Sequence, residues 1–424
     1  DIAGDVTLPA GNLRLQPVVP SRLPPELANA TERVIVREGA ELSTAGASIN
    51  RSAADGSYVG PAIPLGRASA DGASSIRSID GGTISTRRDK QFYQVRLDGG
   101  ASLDVGGGAS IDSSRRVTGG RGGVLNIANG TDDQATSDWL RADLRGFAVG
   151  SGGQLNLNLG RLLIDDDDAE GVVPAGTTRV GTSLFDNRGF SRISITAANG
   201  ITIASGTELT VQQKNLVVDP QTAIEKLSGT PLSSFAETQL LPESRRAPAS
   251  LVLNARGGSL AGAGVLTVEH DAQITTDARG DVTLSAVDGL TIDGRIRAPG
   301  GRVTATLNGA LATTAPDLRI GTGAEISTAA VFVPAPNDRG LVQGSMFDAG
   351  SVTIDARNTG LDVDSGAVID VSGARIVADI ATSDTQPAFE RRALDGQAGS
   401  IVLKSQGRTA IDAAFIGRSA SPSA

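Results

Sequence analysis

Gly280-Asp281-Val282-Thr283-Leu284-Ser285-Ala286-Val287-Asp288-Gly289-Leu290-Thr291-Ile292-Asp293-Gly294-Arg295-Ile296-Arg297-Ala298-Pro299-Gly300-Gly301 is the stretch that decides the fold. From Asp281 to Ser285 apolar and polar residues alternate, the period of a strand with one buried face. Asp288-Gly289 is a turn signal, and Leu290-Thr291-Ile292 is a second short strand. Gly294 breaks it, Arg295-Ile296-Arg297 is a third, and Pro299-Gly300-Gly301 closes the set. Val303 then restarts the pattern, so three short strands fill one unit of about 21 residues.

Two phrases spread this unit along the chain. Gly-Ala-x-Ile/Leu-Asp/Ser occurs from Gly39, Gly100, Gly108, Gly323 and Gly366, with a looser copy from Gly206. Gly-x-Val/Ile-x-Leu/Ile starts at Gly280, Gly350 and Gly399. Self-similarity at this period predicts an all-β chain: a right-handed parallel β-helix, a solenoid with three short strands per coil and long loop or helical inserts. Each strand would stack on its counterpart one coil away at about 4.8 Å, with aliphatic residues inward and Thr, Ser, Asp and Arg outward. Glycine serves the corners, where bends need positive φ or no side chain.

Composition agrees. In 424 residues there are 54 glycines but only nine Phe, two Tyr and one Trp, suiting a narrow aliphatic interior better than a large globular core. The formal net charge of −9 argues against a phosphate-binding surface, so no nucleic-acid partner is expected. Lys occurs only at 90, 214, 226 and 404, all other basic residues being Arg. The absence of cysteine removes disulfides and thiolate metal sites, and suits a chain that crosses an oxidising compartment unfolded. No apolar run approaches the roughly 20 residues of a membrane span. A start at Asp1 without Met suggests a processed chain or an interior fragment.

The expected organisation is an extended, Pro-containing lead-in over 1–30 and the β-helix over 31–424. Inserts are expected at about 50–95, 129–149, 161–190, 212–249, 329–348 and 375–398. Within 212–249, Asp219-Pro220 reads as an N-cap followed by Pro at N1, and Ser234-Phe235-Ala236-Glu237 as a capping box opening a second short helix. Neither terminus carries an amphipathic cap, and an open end of stacked strands is a template for aggregation. Further solenoid or another subunit is therefore expected at the ends.

These phrases, with Gly152-Gly153-Gln154-Leu155-Asn156-Leu157, Ser372-Gly373-Ala374 and Leu8-Pro9-Ala10-Gly11, resemble the filamentous haemagglutinin family, the exoproteins of bacterial two-partner secretion. The likeness covers most of the chain through degenerate motifs shared with other β-helices. It implies a fibrous shaft secreted through an outer-membrane β-barrel transporter to the bacterial surface, with roles in adhesion, biofilm or toxin display. The family's amino-terminal secretion domain is not recognisable, so the resemblance implies an interior or carboxy-terminal section. The partner expected on the outside is a host or bacterial surface receptor or a glycan.

Candidate chemistry is sparse, and no cofactor motif is found. Arg279-Gly280-Asp281 spells the integrin-binding tripeptide, but it leads into a strand, and Gly-Asp-Val-Thr-Leu recurs at 4–8 without the Arg. Asp165-Asp166-Asp167-Asp168 with Glu170 has the oxygen chemistry of a Ca²⁺ site without the Asp-x-Asp-x-Asp-Gly spacing, and reads as a solvated acidic loop. Consecutive Glu269-His270-Asp271, with the sole His, cannot all face one cleft from a strand. No catalytic or metal-binding residue is assigned. Trp139, Tyr58 and Tyr93, with Phe92 and Phe147, sit in or beside inserts, either as a contact patch or as pins holding inserts to the coils. The leading expectation is a non-enzymatic adhesive shaft. The alternative is a carbohydrate-active β-helix enzyme, a polysaccharide lyase, hydrolase or depolymerase.

Overall fold

A computed structural model describes residues 1–16, 33–54, 56–57, 59–60, 79–86, 94–129, 139–171, 173–257, 263–309, 318–335, 339–382 and 388–420. Strand accounts for 48% and helix for 4%, which makes the chain all-β. The chain forms two compact units, one of Asp1–Leu163, Asp167–Ala198 and Gln213–Leu240, the other of Ile164–Asp166, Asn199–Gln212 and Leu241–Ala424.

The second unit contains the quoted stretch, and its three strands lie where the pattern puts them: Asp281–Ala286, Gly289–Ile292 and Arg295–Arg297. Each belongs to a different parallel ladder. Ser250–Ala255, Asp281–Ala286, Arg302–Leu307, Ser351–Asp355 and Ser400–Lys404 pair in that order. Ile201–Ile203, Val265–Val268, Gly289–Ile292, Leu318–Ile320, Leu361–Val363 and Thr409–Ile411 form the second ladder. Glu208–Val211, Gln273–Thr276, Arg295–Arg297, Glu325–Ser327, Val368–Asp370 and Ala414–Ile416 form the third. Register is set by like on like: Ile274, Ile296, Ile326 and Ile369 are consecutive partners and fully buried. Burying each such side chain contributes about 1.5–3 kcal/mol, and a one-residue slip would expose the whole column.

The two phrases have separate physical meanings. In Gly323-Ala324-Glu325-Ile326-Ser327 the glycine has φ +80° with open space around it, Ala324 and Ile326 are fully buried, and Ser327 Oγ accepts the Ala329 N–H at 3.4 Å. The final Asp or Ser does this in every strict copy: Ser43 to Ala45, Asp104 to Gly106, Asp112 to Ser114 and Asp370 to Ser372. It is a turn former that bonds the backbone two residues on. Asp271, φ +61°, takes the glycine's place in the copy Asp271-Ala272-Gln273-Ile274. In the other phrase the glycines themselves stack, and a Cβ on Gly350 would overlap the Gly301 carbonyl oxygen as one on Gly399 would overlap that of Gly350.

The first unit is also built on parallel ladders, with longer interruptions between their strands. Asn12–Leu15, Thr83–Thr86, Val124–Ala128, Gly153–Leu159 and Phe190–Ala197 pair in parallel. So do Val6–Thr7, Glu41–Ser43, Ser102–Asp104 and Asp143–Arg145, and separately Arg33–Val36 with Gln94–Leu97. The described part of the lead-in, 1–16, thus takes ladder positions. Asp143–Arg145 and Arg161–Asp165 are strands inside the expected inserts 129–149 and 161–190. The first escapes the pattern because only Leu144 points inward between two charged residues. The inserts 329–348 and 375–398 hold antiparallel hairpins, Val331–Pro334 with Gly344–Phe347 and Ala374–Ala381 with Phe389–Gly396.

The segment 212–249 holds one expected helix and one correction. Asp219 caps Pro220–Ile224, its carboxylate accepting from the Gln221 and Thr222 N–H groups. The capping box expected at Ser234 to open a second helix does not form. Leu232–Ser234 is a single 3-10 turn in which Ser234 Oγ donates to the Pro231 carbonyl, and Glu237–Gln239 is a strand antiparallel to Asn215–Val217. Hairpin pairing outweighs a local capping preference here.

Candidate functional site

The outward face of the ladder Val6–Thr7, Glu41–Ser43, Ser102–Asp104 and Asp143–Arg145 carries a polar row. Register makes Thr7, Ser43, Asp104 and Arg145 successive neighbours, with the apolar row Val6, Leu42, Leu103 and Leu144 beside them. Adjacent members of such a row stand about 4.8 Å apart. Residues 213–240 rise beside this row and are tied down at both ends. Asn50 Nδ2 donates to the carbonyls of Ile224 at 2.9 Å and Lys226 at 2.7 Å, satisfying helix-end acceptors. The Gly229 N–H donates to the Ser48 carbonyl, the Leu216 N–H to that of Ala148, and the Gly152 N–H to Gln213 Oε1 at 2.8 Å.

Between the row and this wall lies a cavity of about 370 Å³. Thr7, Glu41, Ser43, Asp104 and Arg145 line one side, and Leu216, Pro231, Leu232 and Ala236 the other, with Phe147 between. Asp104 is the chemical centre of the site. It is 8% exposed, and its Oδ1 accepts the Gly106 N–H at 2.7 Å. Burial pushes its carboxyl above the usual range, against the pull of that N–H and of the Arg145 charge. Arg145 Nε donates to Asp143 Oδ2 at 2.5 Å, and Arg188 holds the other Asp143 oxygen. The arrangement offers a buried carboxyl group at Asp104, a second at Glu41, a guanidinium and hydroxyls beside an apolar wall. That is the composition of a small polar-ligand pocket.

Most residues singled out from the sequence lie elsewhere. Trp139 is 2% exposed, and its indole N–H donates to Thr178 Oγ1 at 2.7 Å, so it pins Thr177–Gly181 rather than offering a contact face. Phe147 is half-buried at the cavity. Tyr58, Tyr93 and Phe92 lie outside the described residues. Arg279 stacks over the Phe347 ring at 5.3 Å, Gly280 is buried, and Asp281 Oδ1 accepts the Arg302 N–H at 2.9 Å. The tripeptide is thereby engaged in corner packing.

Of the acidic run, Asp167 is spent on the short helix Ser183–Asp186, accepting from Ser183 Oγ at 2.8 Å. Among the described residues no three His, Cys, Asp or Glu side chains gather to hold a metal ion. His270 is exposed with Nδ1 2.7 Å from Asp271, and Ser205 Oγ donates to its backbone carbonyl, not its ring. That geometry gives Ser205 no base.

The Asp104 site was not visible in the sequence. Asp104 reads there as one more turn aspartate, and nothing in the chain couples it to Leu216 or Pro231. No protein-family model, no curated protein and no solved structure matches this chain.

Proposed function

We propose that this chain is a shaft segment of a secreted bacterial surface exoprotein, wound as a right-handed parallel β-helix whose inserts make contacts with a surface receptor or glycan. The observation that carries the reading is the second unit's three ladders, in which consecutive short strands each pair with their counterparts one repeat later, in unshifted register. Backbone hydrogen bonds then run along the stacking direction and make a stiff spacer, while recognition falls to the inserts. The likeness to filamentous haemagglutinins supports export through an outer-membrane β-barrel transporter, and further coils or another subunit would cover the ladder ends.

Two measurements test it. Cryo-EM of the purified chain should yield rods with strands perpendicular to the long axis, and antiparallel sheets in a sandwich would overturn the fold. Antibodies against the chain should label intact cells of the source bacterium, and labelling only after lysis would overturn the surface role.

One observation favours the second reading, a carbohydrate-active enzyme. Asp104, buried with its carboxyl held up, shares a cavity with Glu41, and paired acids in unlike environments can divide general-acid and general-base work. Incubation with neutral and acidic polysaccharides should then release reducing ends or unsaturated products, abolished by Asp104→Asn and by Glu41→Gln. No product from any of them would end this reading.

A further inference from the structure

Lys214 and Asn187 meet in the first unit, with Asp186 beside Asn187 in the chain. Lys214 Nζ contacts Asn187 Oδ1. Asp186 is the residue next to Asn187, its Oδ1 is buried with no hydrogen-bond partner among the described residues, and the Lys214 charge acts on it. Both backbones are fixed. Lys214 lies between Gln213 and Asn215, which are buried and bonded to the Gly152 N–H and the Gly150 carbonyl. Asn187 closes the helix Ser183–Asp186, between buried Phe185 and Phe190. The cation is also chemically distinctive. The chain uses Arg almost everywhere and Lys at four positions. Arg would serve a carboxylate and an amide oxygen at least as well, but only an amine can attack a carboxamide.

We infer that Lys214 and Asn187 form an intramolecular isopeptide bond, with Asp186 as the proton-transfer group. Lys214 passes a proton to Asp186, and its amine attacks Asn187 Cγ. The Nζ–Cγ bond forms and the Cγ–Nδ2 bond breaks. The attacking nitrogen gives up its surplus proton to Nδ2, Asp186 returns the other and becomes carboxylate again, and the amide nitrogen leaves as ammonium. No oxidant or metal takes part. Burial raises the Asp186 carboxyl above its usual range, as a group that must accept that proton requires. Holding amine and amide together on fixed backbone supplies the proximity such a slow reaction needs. The product would staple the strand Asn215–Val217, and with it the cavity wall, to the Ser183–Asp186 turn in a chain that has no cysteine for a disulfide.

Intact-mass measurement of the purified chain tests this directly. The expected mass is one ammonia below that of the sequence, with a branched tryptic peptide joining the segments that carry Lys214 and Asn187, uncleaved at Lys214. Lys214→Arg, Asn187→Ala and Asp186→Asn should each restore the full sequence mass. A wild-type chain at full mass with free cleavage at Lys214 overturns the proposal without any variant needing to fold. A mass loss that survives Lys214→Arg also overturns it, since that would be cyclisation at an asparagine. The readout is independent of where the protein resides, so it fails or succeeds apart from the shaft proposal.

Discussion

Glu41-Leu42-Ser43-Thr44-Ala45 in the first unit and Glu325-Ile326-Ser327-Thr328-Ala329 in the second are nearly one sequence, and they build one corner. Both follow a left-handed glycine, both bury the aliphatic residue completely, and both turn through a Ser hydroxyl that accepts the Ala N–H. Thr44 and Thr328 are both buried, with no partner for Oγ1 among the described residues. Their surroundings part company. Glu325 takes the Arg297 guanidinium at 3.1 Å, whereas Glu41 faces the cavity walled by 213–240. The phrase therefore dictates the corner, and the residues that neighbouring repeats and inserts bring to it dictate its chemistry.

Core truncation is the harshest test of that equivalence. Leu42→Ala and Ile326→Ala should each cost about 2–5 kcal/mol in urea denaturation, because both sites are closed above and below. A near-neutral result at either would break the comparison. Next come the two classes of glycine. Gly350→Ala, whose Cβ would strike the Gly301 carbonyl, should cost about 3 kcal/mol, the upper end of overpacking. Gly323→Ala meets no atom of the described residues and should cost roughly 1–2 kcal/mol for the left-handed backbone alone. Equal losses would mean that the stacked glycines serve conformation rather than close approach.

The turn aspartates sharpen it further through pH. Asp104 is held above its unfolded value by burial, so its contribution is present in acid and lost as pH rises through the native value. Asp104→Asn, which can still accept the Gly106 N–H, should gain on wild type between acid and neutral pH. Asp112 is held below its unfolded value, first by the Arg116 N–H, so its contribution is present at neutral pH and lost as pH falls. Asp112→Asn should match wild type in acid and fall behind above it. Urea midpoints across a pH series check both signs. The smallest effect is at the glutamates: Glu325→Gln should cost about 0.2–1 kcal/mol at low salt and nothing in high salt, as a partly exposed ion pair does. Glu41→Gln, without that Arg, should leave stability unchanged at either ionic strength.

The strands around Val282, Leu290 and Ile296 were legible because period-two alternation survives even in three-residue strands when turns bracket them. Asp143–Arg145 was not, since one inward Leu144 between charges sets no period. The helix at Pro220 was legible through Asp219, which acts on its own next residues. The false capping box at Ser234 shows the limit of that logic, because Glu237 is claimed by Val217 on an antiparallel strand.

The sequence by itself determined the all-β class, the strand triplets and the corner chemistry, for these depend on residues a few positions apart and on identical neighbours stacking like on like. Only the tertiary structure decided which aspartate becomes a buried acid, where Trp139 is spent, and that Lys214 meets Asn187. Those outcomes rest on inserts folding back over tens to more than a hundred residues, and packing at that range leaves no periodic trace in the chain.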